Sequence, residues 1–448
     1  MLREPISDLS KCVEPDRVRR EVYTDPQIFE LEMQRIHERV WIYCGHESQI
    51  PKTGDYYTLQ IGRQPLLMVR GSDGSISVLY NRCPHRGNMM CGDRHGNTGE
   101  FFRCSYHAWT FRHDGKLRSI PMMESGYAGT RFGKDNPDCS MKKAARVENY
   151  RGFVFASLSP QGPSLLEFLG ESKVAFDDMC DRAPEGEVEV VPNCFRVIQH
   201  SNWKIFLENQ LDALHPSVVH QSTGRAAHDV EKQLASKTKK NRGEKGQVPL
   251  SYHMLSAFAT VTIDKWDSFQ TLNYPGGHCV LAGYMGLRPQ DPDTRAYDKI
   301  MIKKYGQKRF EEIVGVNIHH VLIYPGLSVQ SPLQQLRAVR PLGVDRTLTE
   351  IWHFRLKGAP EAIYRRSLAY YNLVNSPATL INADDLENFW KCHQGLSSDG
   401  GDWVSFGRHF GRDLEKDGHI ETGPNMGTSE APMRGQMKAW AQYMGNGR

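Results

Sequence analysis

No uncharged apolar run in the 448-residue chain reaches the roughly 18 residues that a membrane-spanning helix needs, so no membrane association is expected. The first twenty residues, Met1 to Arg20, carry charges throughout and lack the apolar stretch of about 7–15 residues that marks a secretion signal. A cytoplasmic protein is the expectation. An excess of one charge is also missing: the formal net charge of +4 is too mild to argue for nucleic acid. The segment from Glu231 to Lys245 does gather Lys232, Lys237, Lys239, Lys240, Arg242 and Lys245, but without interleaved aromatics it reads as a solvated loop. No internal repeat is found, nor a Gly-x-Gly-x-x-Gly strand–helix unit that would hold a dinucleotide in this chain.

With 39% apolar and 24% charged residues the chain has the balance of a folded protein, and its length suggests two or three domains. Ten cysteines in a leaderless chain of this size do not form a disulfide scaffold, which belongs to small secreted domains. Cys12, Cys44, Cys139, Cys180, Cys194, Cys279 and Cys392 lack a Cys or His at ligand spacing and read as buried, inert thiols.

The first forty residues read as helical, with Asp25-Pro26 as a helix start and Ile28, Leu31, Met33, Ile36 and Val40 roughly in helical period. From Trp41 the texture changes to short β-rich segments punctuated by Gly, Pro, Asn and Asp, such as Asp55 to Ile61, Pro65 to Val69, Ile76 to Tyr80 and Gly152 to Ala156. The run Ser157 to Pro163 breaks this pattern, which sets the expected domains at 1–40, 41–160 and 161–448. Beyond it, Ser201 to His215 and Ala359 to Asn375 read as helices. Val188 to His200, Ser268 to Tyr274, Gln334 to Val339 and Thr349 to Leu356 read as strands. The two kinds do not alternate regularly, so the fold class is α+β rather than a doubly wound parallel sheet.

Two constellations carry chemistry. Cys83-Pro84-His85-Arg86-Gly87 is followed, with eighteen residues between His85 and Cys104, by Cys104-Ser105-Tyr106-His107-Ala108-Trp109. Each arm offers one thiolate and one imidazole. A Cys₂His₂ zinc site uses this set, and so does a Rieske [2Fe–2S] centre with two Cys on one iron and two His on the other. The flanks resemble the Rieske non-haem iron oxygenases, specifically the large (α) subunits of bacterial aromatic-ring-hydroxylating oxygenases. Their pattern is Cys-x-His-Arg-Gly, a spacer, then Cys-x-x-His-x-Trp. The spacer here is about one residue longer, which the Gly-rich turn from Gly92 to Gly99 accounts for. Cys91 lies off the family's ligand positions and reads as structural.

The second constellation runs from Asn202-Trp203-Lys204 through Glu208, Asn209 and Asp212 to His215, Pro216 and His220. On a helix, Glu208, Asp212 and His215 fall at i, i+4 and i+7 and share a face. Pro216 is expected to break the helix at His215, so that His215 and His220 converge on one metal. Two imidazoles and a carboxylate with open positions form the facial triad of non-haem Fe(II) oxygenases. The segment resembles the family's Glu-Asn-x-x-Asp-x-x-His-x₄-His signature, with Leu214 where many relatives carry Tyr. The late motif Asp384-Asp385-Leu386-Glu387 resembles the family's acidic helix start, which maps the third ligand to Asp385, with Asp384 as the alternative.

The resemblance covers roughly Val40 to Trp440 and implies much that composition does not. It implies a β-rich Rieske domain and a catalytic domain with a central antiparallel sheet flanked by helices. The cofactors would be a [2Fe–2S] cluster on Cys83, His85, Cys104 and His107, and mononuclear Fe(II) on His215, His220 and Asp385. The partners would be a small β subunit in an α3β3 assembly, or none in an α3 one, and a reductase with or without a ferredoxin that brings electrons from NADH. The cluster of one subunit would serve the iron of the next. Asp212 would bridge them, its carboxylate bonding a neighbour's Rieske His and His215. Asn209 is placed at the substrate.

O₂ insertion into an aromatic ring is the expected reaction. Arg337 and Arg340 stand on opposite faces of a strand by parity, and Arg340 is the expected clamp for a substrate carboxylate, benzoate-, salicylate- or phthalate-like. A structural pairing of that Arg with Glu350 is the competing reading, and a neutral hydrocarbon the competing substrate. Two other classes remain: a Rieske electron carrier without catalysis, and a zinc-stabilised binding protein.

Overall fold

The computed structural model describes residues 9–240, 250–283, 288–315, 318–416, 419–422 and 426–445. They form two compact units, Met33–Phe168 on one side and the segment up to Glu32 together with Leu169–Arg448 on the other.

The unit Met33–Phe168 is built of small antiparallel sheets. Ile76–Tyr80, Gln64–Arg70, Asp55–Ile61 and His95–Asn97 pair in that order; Arg146–Tyr150, Phe153–Ser157 and Ile42–His46 form a second sheet. A third is the short ladder Leu117–Ser119, Thr110–Phe111 and Phe102–Arg103. The strands lie where β-branched and aromatic residues alternate between turn residues, as the sequence predicts. Their inward side chains, among them Leu67, Val69, Leu79, Phe102 and Phe111, form a core that also takes in Cys83, Cys91 and Cys104.

The other unit holds a nine-stranded antiparallel sheet. Its strands are β1 (Val188–Gln199), β2 (Gln270–Asn273), β3 (Cys279–Gly283), β4 (Ile318–Ile323) and β5 (Leu327–Gln330), then β6 (Gln335–Gly343), β7 (Arg346–Leu356), β8 (Asp413–Lys416) and β9 (His419–Thr422). They lie in the order β1-β7-β6-β5-β4-β3-β2-β9-β8. Alternation along β6 sends Leu336, Ala338 and Arg340 to one face and Arg337 and Val339 to the other. The helices that matter for the site are α1 (Trp203–Asn209), α2 (Pro216–Val219) and α3 (Leu380–Leu396).

One buried acid ties distant parts of this unit together. Glu32 is fully buried and accepts hydrogen bonds from Trp203 Nε1 at 2.8 Å, Lys204 Nζ at 2.5 Å and Trp440 Nε1 at 2.7 Å. A carboxylate can be kept in such a place only because an ammonium and two indoles satisfy it. Next to it, Glu208 is held by the Tyr23 hydroxyl at 2.6 Å, and burial pushes its pKa up to about 7 against that bond and the nearby Lys204 charge.

Several expectations need correction. The first forty residues are not all helical: a short 3-10 turn at Leu9–Cys12 is followed by strands at Val13–Glu14 and Arg17–Arg19, the latter paired with Trp403–Ser405, and α-helices begin at Glu21. The lysine-rich run is a helix, Gln221–Lys240, as far as it is described, because Lys, Gln and Ala are good helix formers. Arg242 and Lys245 lie outside the described residues. Cys392 is exposed and Cys194 half-buried, although the other isolated cysteines are buried. No helix among the described residues is long and apolar enough to cross a membrane.

Candidate functional site

In the unit Met33–Phe168 the two Cys–His arms form matching tight loops. The N–H of Gly87 donates to the Cys83 carbonyl at 2.9 Å, and the N–H of Ala108 donates to the Cys104 carbonyl at 3.0 Å. Each closing residue has positive φ, +75° at Gly87 and +55° at Ala108. Glycine takes this conformation without strain, whereas at Ala108 it costs about 1–2 kcal/mol that the loop must offset. The loops bring the His85 and His107 rings to 4.7 Å between centroids, and His85 stacks on Trp109 at 4.9 Å.

Both thiols are buried, and burial pushes Cys83 up to about 11. Burial works against the Cys104 thiolate too, but the N–H groups of Tyr106 and His107, the Cys83 thiol and the Asn88 amide together pull its pKa below the ordinary value. His107 Nδ1 is buried and has no hydrogen-bond partner among the described residues. Paired sulfurs with one stabilised thiolate, and an imidazole nitrogen left open beside them, fit a cluster that takes two Cys and two His.

The second site forms where α1 ends. Asn202 caps α1 by accepting from the Lys204 N–H at 3.2 Å, and the helix stops at Asn209, so Asp212 and His215 do not continue it. The i, i+4, i+7 face is therefore not the arrangement present. The break comes earlier than Pro216. Asp212 Oδ1 accepts from the Leu214 N–H at 2.9 Å, a local turn that competes with helix. His215 itself is helical, at φ −56° and ψ −35°, and Pro216 opens α2, where its missing N–H is not needed.

This turn and helix start bring the histidines to α3. Donor atoms of His215, His220 and Asp385 all lie within 4.8 Å of one another, the only such His/Cys/Asp/Glu group among the described residues. Asp385 Oδ1 is 3.3 Å from His220 Nε2 and 3.8 Å from His215 Nε2. Each ring's other nitrogen is engaged behind it: His215 Nδ1 with the Asp212 carbonyl at 2.8 Å, His220 Nδ1 with Asp384 Oδ2 at 3.3 Å. Such backing fixes the ring and points Nε2 at a metal. Burial holds the His215 pKa below its ordinary value; at His220 the carboxylates of Asp385 and Asp384 overcome burial and raise it. The donor set suits a divalent iron, with positions left for other ligands.

Three expectations about individual residues change here. The Asp212 carboxylate does not reach His215; its backbone carbonyl does, and the carboxylate is turned to Arg408 Nη2 at 3.0 Å. The acid pair does not open a helix, since α3 starts four residues before Asp384 and places both acids in its second turn. Arg340 is buried against Glu350 at 3.4 Å, a carboxylate shared with Arg196 at 3.2 Å, and it does not line the cavity. The face of β6 that carries Arg340 packs on β1 and β7 acid–base partners, so parity puts Arg337 at the cavity instead.

That cavity has a volume of about 280 Å³, and His215, His220 and Asp385 are among the residues that line it. Its wall is mainly apolar, with Ala257, Phe258, Leu281, Leu333, Ile363 and Val374, as a small-molecule site requires. Asn209 is in the wall, its amide engaged at both ends: Nδ2 donates to Asp385 Oδ1 at 3.3 Å and Oδ1 accepts from Gln210 Nε2 at 3.0 Å. Four arginines line it, Arg182, Arg288, Arg337 and Arg366. Asp384, the alternative third ligand, stands behind His220 instead. Sequence reasoning missed Gln210, Gln330 and His320 in the wall and Arg408 on Asp212. Nothing local marks these residues; only the fold brings them together.

Comparison with known proteins agrees with this geometry. The Rieske [2Fe-2S] domain family matches residues 40–148, and the ring hydroxylating alpha subunit (catalytic domain) family matches residues 195–446. The chain is 34% identical over 422 residues to toluate 1,2-dioxygenase subunit alpha of Pseudomonas putida, covering 92% of this chain and 84% of that one. It is 32% identical over 396 residues to anthranilate 1,2-dioxygenase large subunit of Acinetobacter baylyi, covering 88% and 80%. Its fold superposes on a crystal structure of naphthalene 1,2-dioxygenase with indole bound, with a TM-score of 0.79 and 24% identity over 97% of this chain and 93% of that one. With a Rieske domain ahead of a catalytic domain that supplies two histidines and an aspartate to one point, the chain belongs to the ring-hydroxylating oxygenase α subunits, which are oxidoreductases.

Proposed function

We propose that this chain is the terminal oxygenase component that hydroxylates the ring of an aromatic carboxylate. The observation that carries this reading is the convergence of His215, His220 and Asp385 on an apolar cavity whose wall also holds Arg337, an arginine with no carboxylate within 4.0 Å among the described residues. The other three wall arginines each have one: Arg182 with Asp178, Arg288 with Asp298, Arg366 with Asp291. A half-buried cation with no carboxylate at salt-bridge distance suits an anionic ligand. Toluate and anthranilate, which the names of the two relatives give, are both ring carboxylates.

Cys83, His85, Cys104 and His107 would hold the Rieske cluster, and His215, His220 and Asp385 the mononuclear iron. When bound, the iron supplies reduction of O₂ and the cluster supplies the electrons for it. The protein's own part is positional. Asp212 and Asp384 hold the two imidazoles, Phe258 packs against the His220 ring and excludes water there, and Arg337 orients the substrate through its carboxylate. Electrons come from NADH through a separate reductase, with or without a ferredoxin, in the cytoplasm where NADH is made. Assembly is an α3β3 or α3 trimer in which Asp212 faces the neighbour's Rieske histidines. The test is a product screen of aromatic acids and hydrocarbons with iron-loaded enzyme, NADH and a reconstituted reductase; turnover of hydrocarbons alone overturns the carboxylate reading.

Two expected outcomes follow. Cys83→Ser or Cys104→Ser removes a thiolate the cluster needs, so the purified protein loses its visible charge-transfer absorption. A wild type that stays colourless after anaerobic iron–sulfide reconstitution, and holds zinc, overturns the assignment. Arg337→Met is expected to lower kcat/KM for benzoate by about 1.5–3 kcal/mol, the value of a charge-assisted hydrogen bond, while leaving toluene unaffected. Equal losses on both substrates would make Arg337 structural.

A further inference from the structure

Arg337 is linked to the metal-ligand group through the side chains of Gln210 and Asn209. Its Nη1 donates to Gln210 Oε1, and its Nη2 to Gln330 Oε1 at 3.5 Å. Its Nε is buried without a partner among the described residues. Gln210, itself buried, passes the link on, with Nε2 donating to Asn209 Oδ1 at 3.0 Å. Asn209 Nδ2 then donates to Asp385 Oδ1 at 3.3 Å. Two amides thus run head to tail from a guanidinium to the carboxylate that closes the histidine group, an arrangement in which each bond polarises the next.

The charges make the two ends interdependent. Burial lowers the Arg337 pKa, and the foremost charge opposing that burial is Asp385. A divalent cation bound at Asp385 diverts this negative charge and adds a positive one to the same cavity. Arg337 is then under-compensated until an anion arrives. An anion on Arg337 conversely removes repulsion from a cation at Asp385.

We propose that an aromatic carboxylate on Arg337 and a divalent metal on His215, His220 and Asp385 bind cooperatively, with Gln210 as the positioning residue that ties the two sites together. The proposal rests on the carboxylate reading of the cavity. By reciprocity, the metal tightens the anion by the same factor as the anion tightens the metal, here about 5- to 150-fold, the usual range for coupled sites. Loading of the metal site would thereby be completed when substrate is present.

The test is calorimetric titration of the full-length protein, its Rieske cluster intact, with benzoate and with neutral benzamide, before and after Co(II) is added to the catalytic site. Benzoate should tighten at least about fivefold with Co(II), and benzamide should not. Arg337→Met should still bind benzamide but lose the tightening of benzoate, and Gln210→Met should bring the coupling factor towards one with Arg337 in place. Benzoate binding that Co(II) leaves unchanged overturns the coupling while the carboxylate reading stands. Binding of benzamide without benzoate overturns the carboxylate reading itself. Full tightening in Arg337→Met or in Gln210→Met removes that residue from the link, and retained benzamide binding shows that the variant is folded.

Discussion

Asp385→Ala, like His215→Ala and His220→Ala, is expected to abolish turnover and bound mononuclear iron together, with the Rieske absorption unchanged. Each substitution removes one of the donors that meet within 4.8 Å. Two remaining donors do not hold a divalent iron against water, and among the described residues no fourth His, Cys, Asp or Glu joins the group. The cluster loops lie in the other compact unit, so their spectrum serves as an internal control for folding. The neighbouring acid gives the contrast. Asp384 touches His220 Nδ1, not the point where the Nε2 atoms meet, so Asp384→Ala should weaken iron binding by about 10–100-fold without abolishing it. Iron analysis and product yield on the two variants settle the order. Iron retained in Asp385→Ala and lost in Asp384→Ala would exchange their roles.

Asp212→Asn is expected to leave both iron centres filled and to slow product formation by about a hundredfold, the upper end for groups that act behind a metal ligand. The substitution spares the local structure for a specific reason. His215 Nδ1 bonds the Asp212 backbone carbonyl, which asparagine keeps, and an amide oxygen can still accept from the Leu214 N–H. Arg408 loses one carboxylate but retains the Thr428 carbonyl at 2.5 Å and Glu430 at 3.7 Å. What disappears is the charge at the proposed contact with a neighbouring subunit. Stopped-flow measurement of cluster reoxidation with substrate and O₂ present should show the delay directly. Wild-type reoxidation and turnover would leave Asp212 as a tie for its own loop.

Much of this was legible because it is local. Cys83, His85, Cys104 and His107 announce themselves through spacing, and the strands Asp55–Ile61 and Ile76–Tyr80 through alternation between turn residues. His215 and His220 were legible for the same reason. The helix through Asp212 was misjudged because periodicity counts apolar positions and does not see an aspartate that bonds the backbone two residues on. The choice between Arg337 and Arg340 was beyond any single strand. Parity separates them, but which face meets the cavity depends on Glu350, which pairs across β6 and β7 with Arg340 and across β1 with Arg196. Gln210 and Gln330 become a link only when β5, β6 and the end of α1 meet, and no short motif encodes that meeting.

The burial of Glu32 has a consequence in time. The residues that satisfy it are Trp203 and Lys204, made about 170 positions later, and Trp440, made 408 positions later. Between Glu32 and them the ribosome produces the whole of Met33–Phe168, a contiguous compact unit. Domains generally fold as units during synthesis, so the Rieske unit can close around its cysteines while the catalytic unit is still incomplete. The segment before Met33 must wait, its acid still hydrated, until the last helix leaves the exit tunnel. The Rieske unit can therefore be complete in each molecule before the catalytic unit is.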